Sequence, residues 1–236
     1  MGMFNVGHVA KLHEIQAARL SAGQEGIGLE VEEFIRRLEM GGVNQWRIQA
    51  KRLWDRGFGR DPKVSAKIFK AYLAGIPKIP EGLVGEDSEL ALFSLADPRP
   101  GLLRSCKLLG IQFEELGHSD DSVEPFDDRF AIPTTPFWFR HDDGRKNRNR
   151  WPDHCRDEVN GDIQVGTAME GIFAYAHRTN IVKEDEHIID LPGSVHRGAR
   201  GGCAFLGVWR GQVELFVGGR SDVAVPEFGS LRLRRK

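Results

Sequence analysis

The densest chemistry in this chain lies in Arg140-His-Asp-Asp-Gly-Arg-Lys-Asn-Arg-Asn-Arg-Trp151, where five cations are interleaved with asparagines and end on an indole. Phosphates need several closely spaced cations, and unstacked bases need an aromatic face. Arg145, Lys146, Arg148, Arg150 and Trp151 are therefore the candidates for holding single-stranded nucleic acid. Asparagine, glycine and charge also favour turns, so a solvated surface loop accounts for the same residues. We favour the loop, because 33 basic and 34 acidic residues leave a formal net charge of −1 and no global field to attract a polyanion.

A second set of residues has the donor types of a divalent-metal site. His141, His154 and His196 are the leading candidates, with Asp142, Asp143, Cys155, Glu158, His177 and His187 as further donors suited to zinc or iron. Their spacing is loose. There is no HExxH, and the adjacent His154 and Cys155 point apart in regular structure. Separate histidines and a buried Cys203 are the simpler reading.

The third candidate is Leu191-Pro-Gly-Ser-Val-His-Arg-Gly-Ala-Arg-Gly-Gly202. Backbone N–H groups at its glycines could form an anion-binding nest, with Ser194, His196, Arg197 and Arg200 adding donors. It lacks GxxxxGK[ST] and is placed to join two strands, which excludes a phosphate-binding P-loop. An ordinary glycine-rich connection explains it more simply. Ser194 with His196, or Cys155 with His154, would be nucleophile and base, but neither sits in a GxSxG-like elbow. Together with Trp138, Arg140 and His141, the first and third candidates mark a ligand-binding surface over segments 140–151 and 193–202, with Ser194, His196, Arg197 and Arg200 on its second part.

The elements that must position these residues are readable in order. Val9 to Ala22 and Val31 to Leu38 have helical apolar spacing, the second stopped by Gly41-Gly42. A third helix is expected over Asn44 to Arg56, and a fourth from Asp61-Pro62 through Val64, Ile68 and Tyr72 to Gly75. The cationic face Arg47, Lys51, Arg52 and Arg56, with Arg60, Lys63, Lys67 and Lys70, is a second nucleic-acid candidate. A solvated helix face is the reading we prefer for it. Prolines at 77 and 80 break the chain, giving a helical region 1–80 and an α+β domain 85–236.

Within that domain, strands are expected at Leu90 to Leu95, Ile111 to Phe113, Phe137 to His141, His187 to Leu191, Cys203 to Trp209 and Val213 to Val217. The last two form a hairpin through Arg210-Gly211. Leu102, Leu103, Cys106 and Leu109 share a helical face ending at Gly110, and Thr167-Ala-Met-Glu170 is a capping box that starts another helix. Glu170 thereby has a complete structural role and is not counted as catalytic. The expected fold class is α+β, an N-terminal helical region followed by a mostly antiparallel sheet with a few helices.

From Pro133 onward the order of features resembles an uncharacterised, mainly actinobacterial family of unknown function. The elements that carry the resemblance are Pro136-Phe-Trp-Phe before Asp142-Asp-Gly, Thr167-Ala-Met-Glu-Gly-Ile-Phe-Ala174, Leu191-Pro-Gly-Ser194 and Cys203-Ala-Phe-Leu-Gly-Val-Trp209. The chain departs from that pattern after Trp209, where Val213-Glu-Leu-Phe-Val217 replaces a tryptophan-rich strand, and in its front helices. The resemblance implies an α+β domain and brings no activity.

At 236 residues the chain can bury a sizeable core, and 40% hydrophobic with 28% charged residues is an ordinary globular composition. Three widely spaced cysteines suggest neither a disulfide framework nor a CxxC knuckle, so a reducing cytoplasm is expected. No signal-peptide pattern, membrane-length apolar run or complete myristoylation motif is present. The expected function is binding or regulation of an unknown ligand or protein partner. A metal-dependent enzyme and a nucleic-acid-binding protein are the alternatives, and no membrane partner is expected.

Overall fold

The computed structural model describes residues 43–83, 87, 89–115, 126–158, 161–196, 202–219 and 224–235. The expected helices at Val9 to Ala22 and Val31 to Leu38 lie outside these residues, as do Arg197 and Arg200. The chain divides into two units, 1–49 and 50–236.

The second unit is α+β. Helix α1 (Val43–Asp55) enters it at Ala50 and is followed by α2 (Phe69–Ala74), β1 (Leu92–Ala96), α3 (Leu102–Leu109), β2 (Gln112–Glu115) and β3 (Phe126–Asp128). Then come β4 (Phe137–His141), α4 (Pro152–Asp157), β5 (Ile163–Val165), α5 (Ala168–His177), β6 (Ile188–His196), β7 (Cys203–Trp209), β8 (Gln212–Gly219), β9 (Phe228–Ser230) and β10 (Arg232–Arg235). The strands form two sheets. One is antiparallel with order β1-β4-β10-β5. The other runs β2-β8-β7-β6-β3, with β9 beside β6, and its β2–β8 and β6–β9 pairings are parallel.

Helix α5 links the two layers, because it packs on β1 of the first sheet, on β6 and β7 of the second, and on α3. Every residue from Ala168 to Ala174 is buried, as expected of a helix apolar nearly all round. Ile172 and Phe173 are fully buried, each contributing roughly 1.5–3 kcal/mol. Phe173 meets Phe58 at a centroid separation of 5.5 Å.

The helix expected from Asp61 through Tyr72 is interrupted. The Asp61 carboxylate accepts from Lys63 N at 3.0 Å and from Arg104 Nε at 3.0 Å, closing one turn, and Ser65 then takes a left-handed φ of 51°. Only Phe69–Ala74 is helical, so Ile68 is left exposed instead of buried. Tyr72 is buried and donates to Asp97 at 2.8 Å. The expected Leu191-Pro-Gly-Ser194 turn is instead part of β6, which carries a register shift against β7 between Leu191 and Val195. Gly193 N donates to Gly166 O at 2.9 Å, and a Cβ at Gly193 would lie 2.8 Å from that same oxygen. This glycine serves close approach of two backbones; the described part of the segment is not an anion nest.

Among the described residues no helix is long and apolar enough to cross a membrane.

Candidate functional site

Strand β4 is the centre of the first sheet, and it holds three sequence candidates in structural roles. Trp138 Nε1 donates to Pro77 O at 2.9 Å. Arg140 is buried and donates from Nε to Leu83 O and from NH1 to Leu90 O, each at 2.9 Å, fixing the chain ahead of β1. His141 is fully buried. Its Nδ1–H donates to Asp142 O at 2.7 Å, so its Nε2 accepts from Ser94 Oγ at 2.9 Å. Burial lowers its pKa to about 4, leaving a neutral ring with both nitrogens engaged. The expectation that β4 delivers Arg140 and His141 into a polar loop is therefore corrected, since the strand is buried along its whole length.

The metal candidates do not converge. Both ring nitrogens of His141 are occupied, exposed His154 packs in a tilted arrangement against Trp151 with ring centroids 4.8 Å apart, and His196 sits at the end of β6 opposite Phe126. Among the described residues no three His, Cys, Asp or Glu side chains are grouped to hold a metal ion. Ser194 is also buried. It accepts from Ala168 N at 2.8 Å and donates to Asp128, so it satisfies the first turn of α5 and has no histidine as base.

The cation-rich loop is latched, which a composition typical of solvated turns did not suggest. Asp142 Oδ1 accepts from Gly144 N at 3.0 Å and from Arg232 N at 2.9 Å. Gly144 has φ +78°, and a single 3₁₀ turn follows at Arg145–Asn147. Asn147 Nδ2 donates to Ser230 O at 2.9 Å. His187 Nε2–H donates to Asp143 O at 2.7 Å, which leaves Nδ1 to accept from Arg148 Nε at 3.2 Å. Arg145 pairs with Asp143, and Arg150 with Glu158. Trp151 is 44% exposed. The same holds for part of the front cationic set: Lys51 pairs with Asp55, Arg52 donates to His177 O and Arg56 to Leu109 O.

The loop rests on a backbone-to-backbone contact that no side chain can enter. A Cβ at Gly144 would stand 2.7 Å from Gly229 O, and one at Gly229 would be closer still to Gly144 O. Gly229→Ala should therefore cost about 1–3 kcal/mol, as overpacking does, and release the loop. A lower urea midpoint together with new proteolytic cleavage near 144–150 is the expected readout; an unchanged midpoint and no cleavage would show that the latch is unimportant.

Beneath this loop lies a cavity of about 240 Å³ lined by Glu89, Asn147, Arg150, Cys155, Glu158, Ile163, Gln164, Val165 and Arg232. No family model, curated protein or solved structure matches this chain. The site must therefore be judged from its own groups. Arg232 bridges Asp142 and Glu89, with its NH1 3.0 Å from the Glu89 carboxylate. The Arg150–Glu158 pair stands on the same cavity, so two cations and two anions face one small space. The Oε1 of Gln164 is buried and has no hydrogen-bond partner.

Cys155 lines the cavity and is only 5% exposed. Burial raises its pKa, while the nearby Ser230 hydroxyl and Arg150 oppose the rise, so the thiol is protonated at neutral pH. The Ser230 hydroxyl makes no well-formed hydrogen bond. Behind it, Asp190 pairs with Ser230 in the β6–β9 register, and burial pushes its carboxyl up to about 7. A second, larger cavity of about 450 Å³ has Leu102, Phe126 and Met169 on its wall, with Lys63, Arg99 and Asp128 among its lining residues. Its cations already have acceptors: Arg99 is held by both oxygens of Asp97, and Lys63 donates to Pro100 O.

Sequence reasoning found the loop half of the smaller cavity through Arg150, and had Cys155 and Glu158 only as loose metal donors. It missed Glu89, Asn147, Gln164 and Arg232. A lone glutamine between Ile163 and Val165 carries no local signal, since what distinguishes it is an absent partner in three dimensions.

Proposed function

We propose that this protein binds a small polar molecule in the cavity enclosed by the 144–150 loop, α4, β5 and β10. The observation that carries this reading is a small cavity faced by charges of both signs, Arg150 and Arg232 with Glu89 and Glu158. The residues around it are held before any ligand arrives, by the Asp142, Asn147 and Gly144–Gly229 contacts. Little ordering entropy then opposes binding. The protonated thiol and a cavity lining without a histidine among the described residues favour binding over nucleophilic catalysis.

The test is thermal unfolding against a panel of dicarboxylates, amino acids, amines, sugars and nucleosides, with wild type and Ile163→Trp side by side. Ile163 lines the cavity from the edge strand β5, so the indole fills the space with little disturbance of the core. A ligand at a hundredfold excess over its Kd stabilises by about 2.7 kcal/mol, a Tm rise of roughly 5–10 °C for a chain of this size. That rise is expected in wild type and not in Ile163→Trp. No compound giving such a difference would overturn the reading.

A further inference from the structure

We infer that the ligand of this cavity is a free α-amino acid with a small uncharged side chain; this rests on the small-molecule reading above. Size comes first, because about 240 Å³ falls below the roughly 300–1,000 Å³ of sites for drug-sized ligands and leaves no room for a nucleotide. Charge comes second. Glu89, Glu158, Arg150 and Arg232 balance, so a dicarboxylate or a diamine would meet as much repulsion as attraction, whereas a zwitterion finds a partner for each end.

The exchange is cheap for the protein. Arg150 and Glu158 have side chains 37% and 58% exposed, and Arg232 and Glu89 have 26% and 47%. Ion pairs so exposed contribute little, and a ligand carboxylate or ammonium can take the place of either partner. The α-ammonium lies against the carboxylates of Glu89 and Glu158, and the α-carboxylate against the guanidinium groups of Arg150 and Arg232. Ile163, Val165 and the neutral Cys155 thiol complete the lining with surfaces that fit a methyl, hydroxymethyl or isopropyl group and offer no charge to a charged side chain.

The experiment uses calorimetry on the full chain with L-alanine, L-serine and L-valine, and with the half-molecules propionate and ethylamine. At least one amino acid should bind more than tenfold tighter than either half-molecule, and should slow alkylation of Cys155 by iodoacetamide. Arg150→Met and Glu158→Gln, each verified as folded by its unfolding transition, should each weaken that amino acid by about 10- to 100-fold, the effect of losing a charged hydrogen bond. Binding of a half-molecule as tight as the amino acid would overturn the zwitterion assignment. So would a panel in which a sugar or dicarboxylate binds and is lost in Ile163→Trp while amino acids do not bind. In that last case the small-molecule reading stands and only the ligand class falls. Silence of every compound defeats both.

Discussion

Glu170→Ala should remove about 3–5 kcal/mol of stability, the range for leaving one member of a buried ion pair uncompensated. Glu170 is fully buried. One carboxylate oxygen accepts from Thr167 N at 3.1 Å and from Thr167 Oγ1 at 2.9 Å, and the other accepts from Arg235 Nε. Arg235 in turn donates from NH1 to Ala131 O at 2.6 Å. A single side chain therefore caps α5, fixes the last strand of the first sheet and reaches the segment before β4. Removing it strands a guanidinium that is mostly buried, with a side chain only 15% exposed. Native domains hold only about 5–15 kcal/mol in total, so the loss is a large fraction.

Thr167→Ala, which removes the cap and leaves the ion pair, should cost about 1 kcal/mol. Urea unfolding of both variants separates the two roles. The apolar pair Glu170→Met with Arg235→Leu should be less destabilised than Glu170→Ala alone, because no charge is then left unpaired. A loss below about 1 kcal/mol for Glu170→Ala would mean that the cluster does not hold α5 to β10.

Glu170 also shows what the sequence could and could not disclose. Its capping box is a local pattern of four residues, and it was legible, as were β4, β7 and the helix ending at Gly110, whose apolar spacing is local too. Its partner Arg235 was not legible, because the two are 65 positions apart and an arginine in a basic C-terminal stretch resembles a solvated charge. The same distinction explains the site. Arg140 and His141 have functional residue types, yet a buried strand satisfies them with the carbonyls of Leu83, Leu90 and Asp142 and with Ser94. Strands β3, β5, β9 and β10, at three or four residues each, are too short to show a period. Three of them, β5, β9 and β10, also bring Gln164 and Arg232 to the cavity and Ser230 behind it. The α+β class was readable from local pattern; the pairing of short, distant segments was not.

Asp190→Asn should make the protein more stable by ~4 kcal/mol above pH 7 and no more stable near pH 4. The cause is a carboxyl that burial raises to about 7 from an ordinary value of 3.8. In the window from 3.8 to 7 the folded chain keeps this proton and the unfolded chain loses it, so stability falls as pH rises and the cost is complete above 7. His141 and His177 act in the opposite direction. Burial lowers them to about 4 and about 3, with Arg52 adding to the shift at His177, so below 6.5 the unfolded chain binds protons that the folded chain refuses. His187 is lowered as well, also by burial first. Near pH 5 the buried pair of histidines outweighs Asp190, and these three groups together give a slope of about +1.4 kcal/mol per pH unit. Between about 6.5 and 7 the unfolded histidines lose their remaining protons while the folded aspartate loses its own, so the two effects cancel and the slope falls to nearly zero. Wild-type stability should therefore rise through the acid range and level off near pH 7. In Asp190→Asn the acid-side slope should steepen to about 2.7 kcal/mol per unit, and the rise should continue past about pH 7, where wild type has levelled off. Urea unfolding from about pH 4 to 8 measures both curves; if they ran parallel, Asp190 would be ionised in the folded protein, and the polar pocket behind Cys155 would carry a charge.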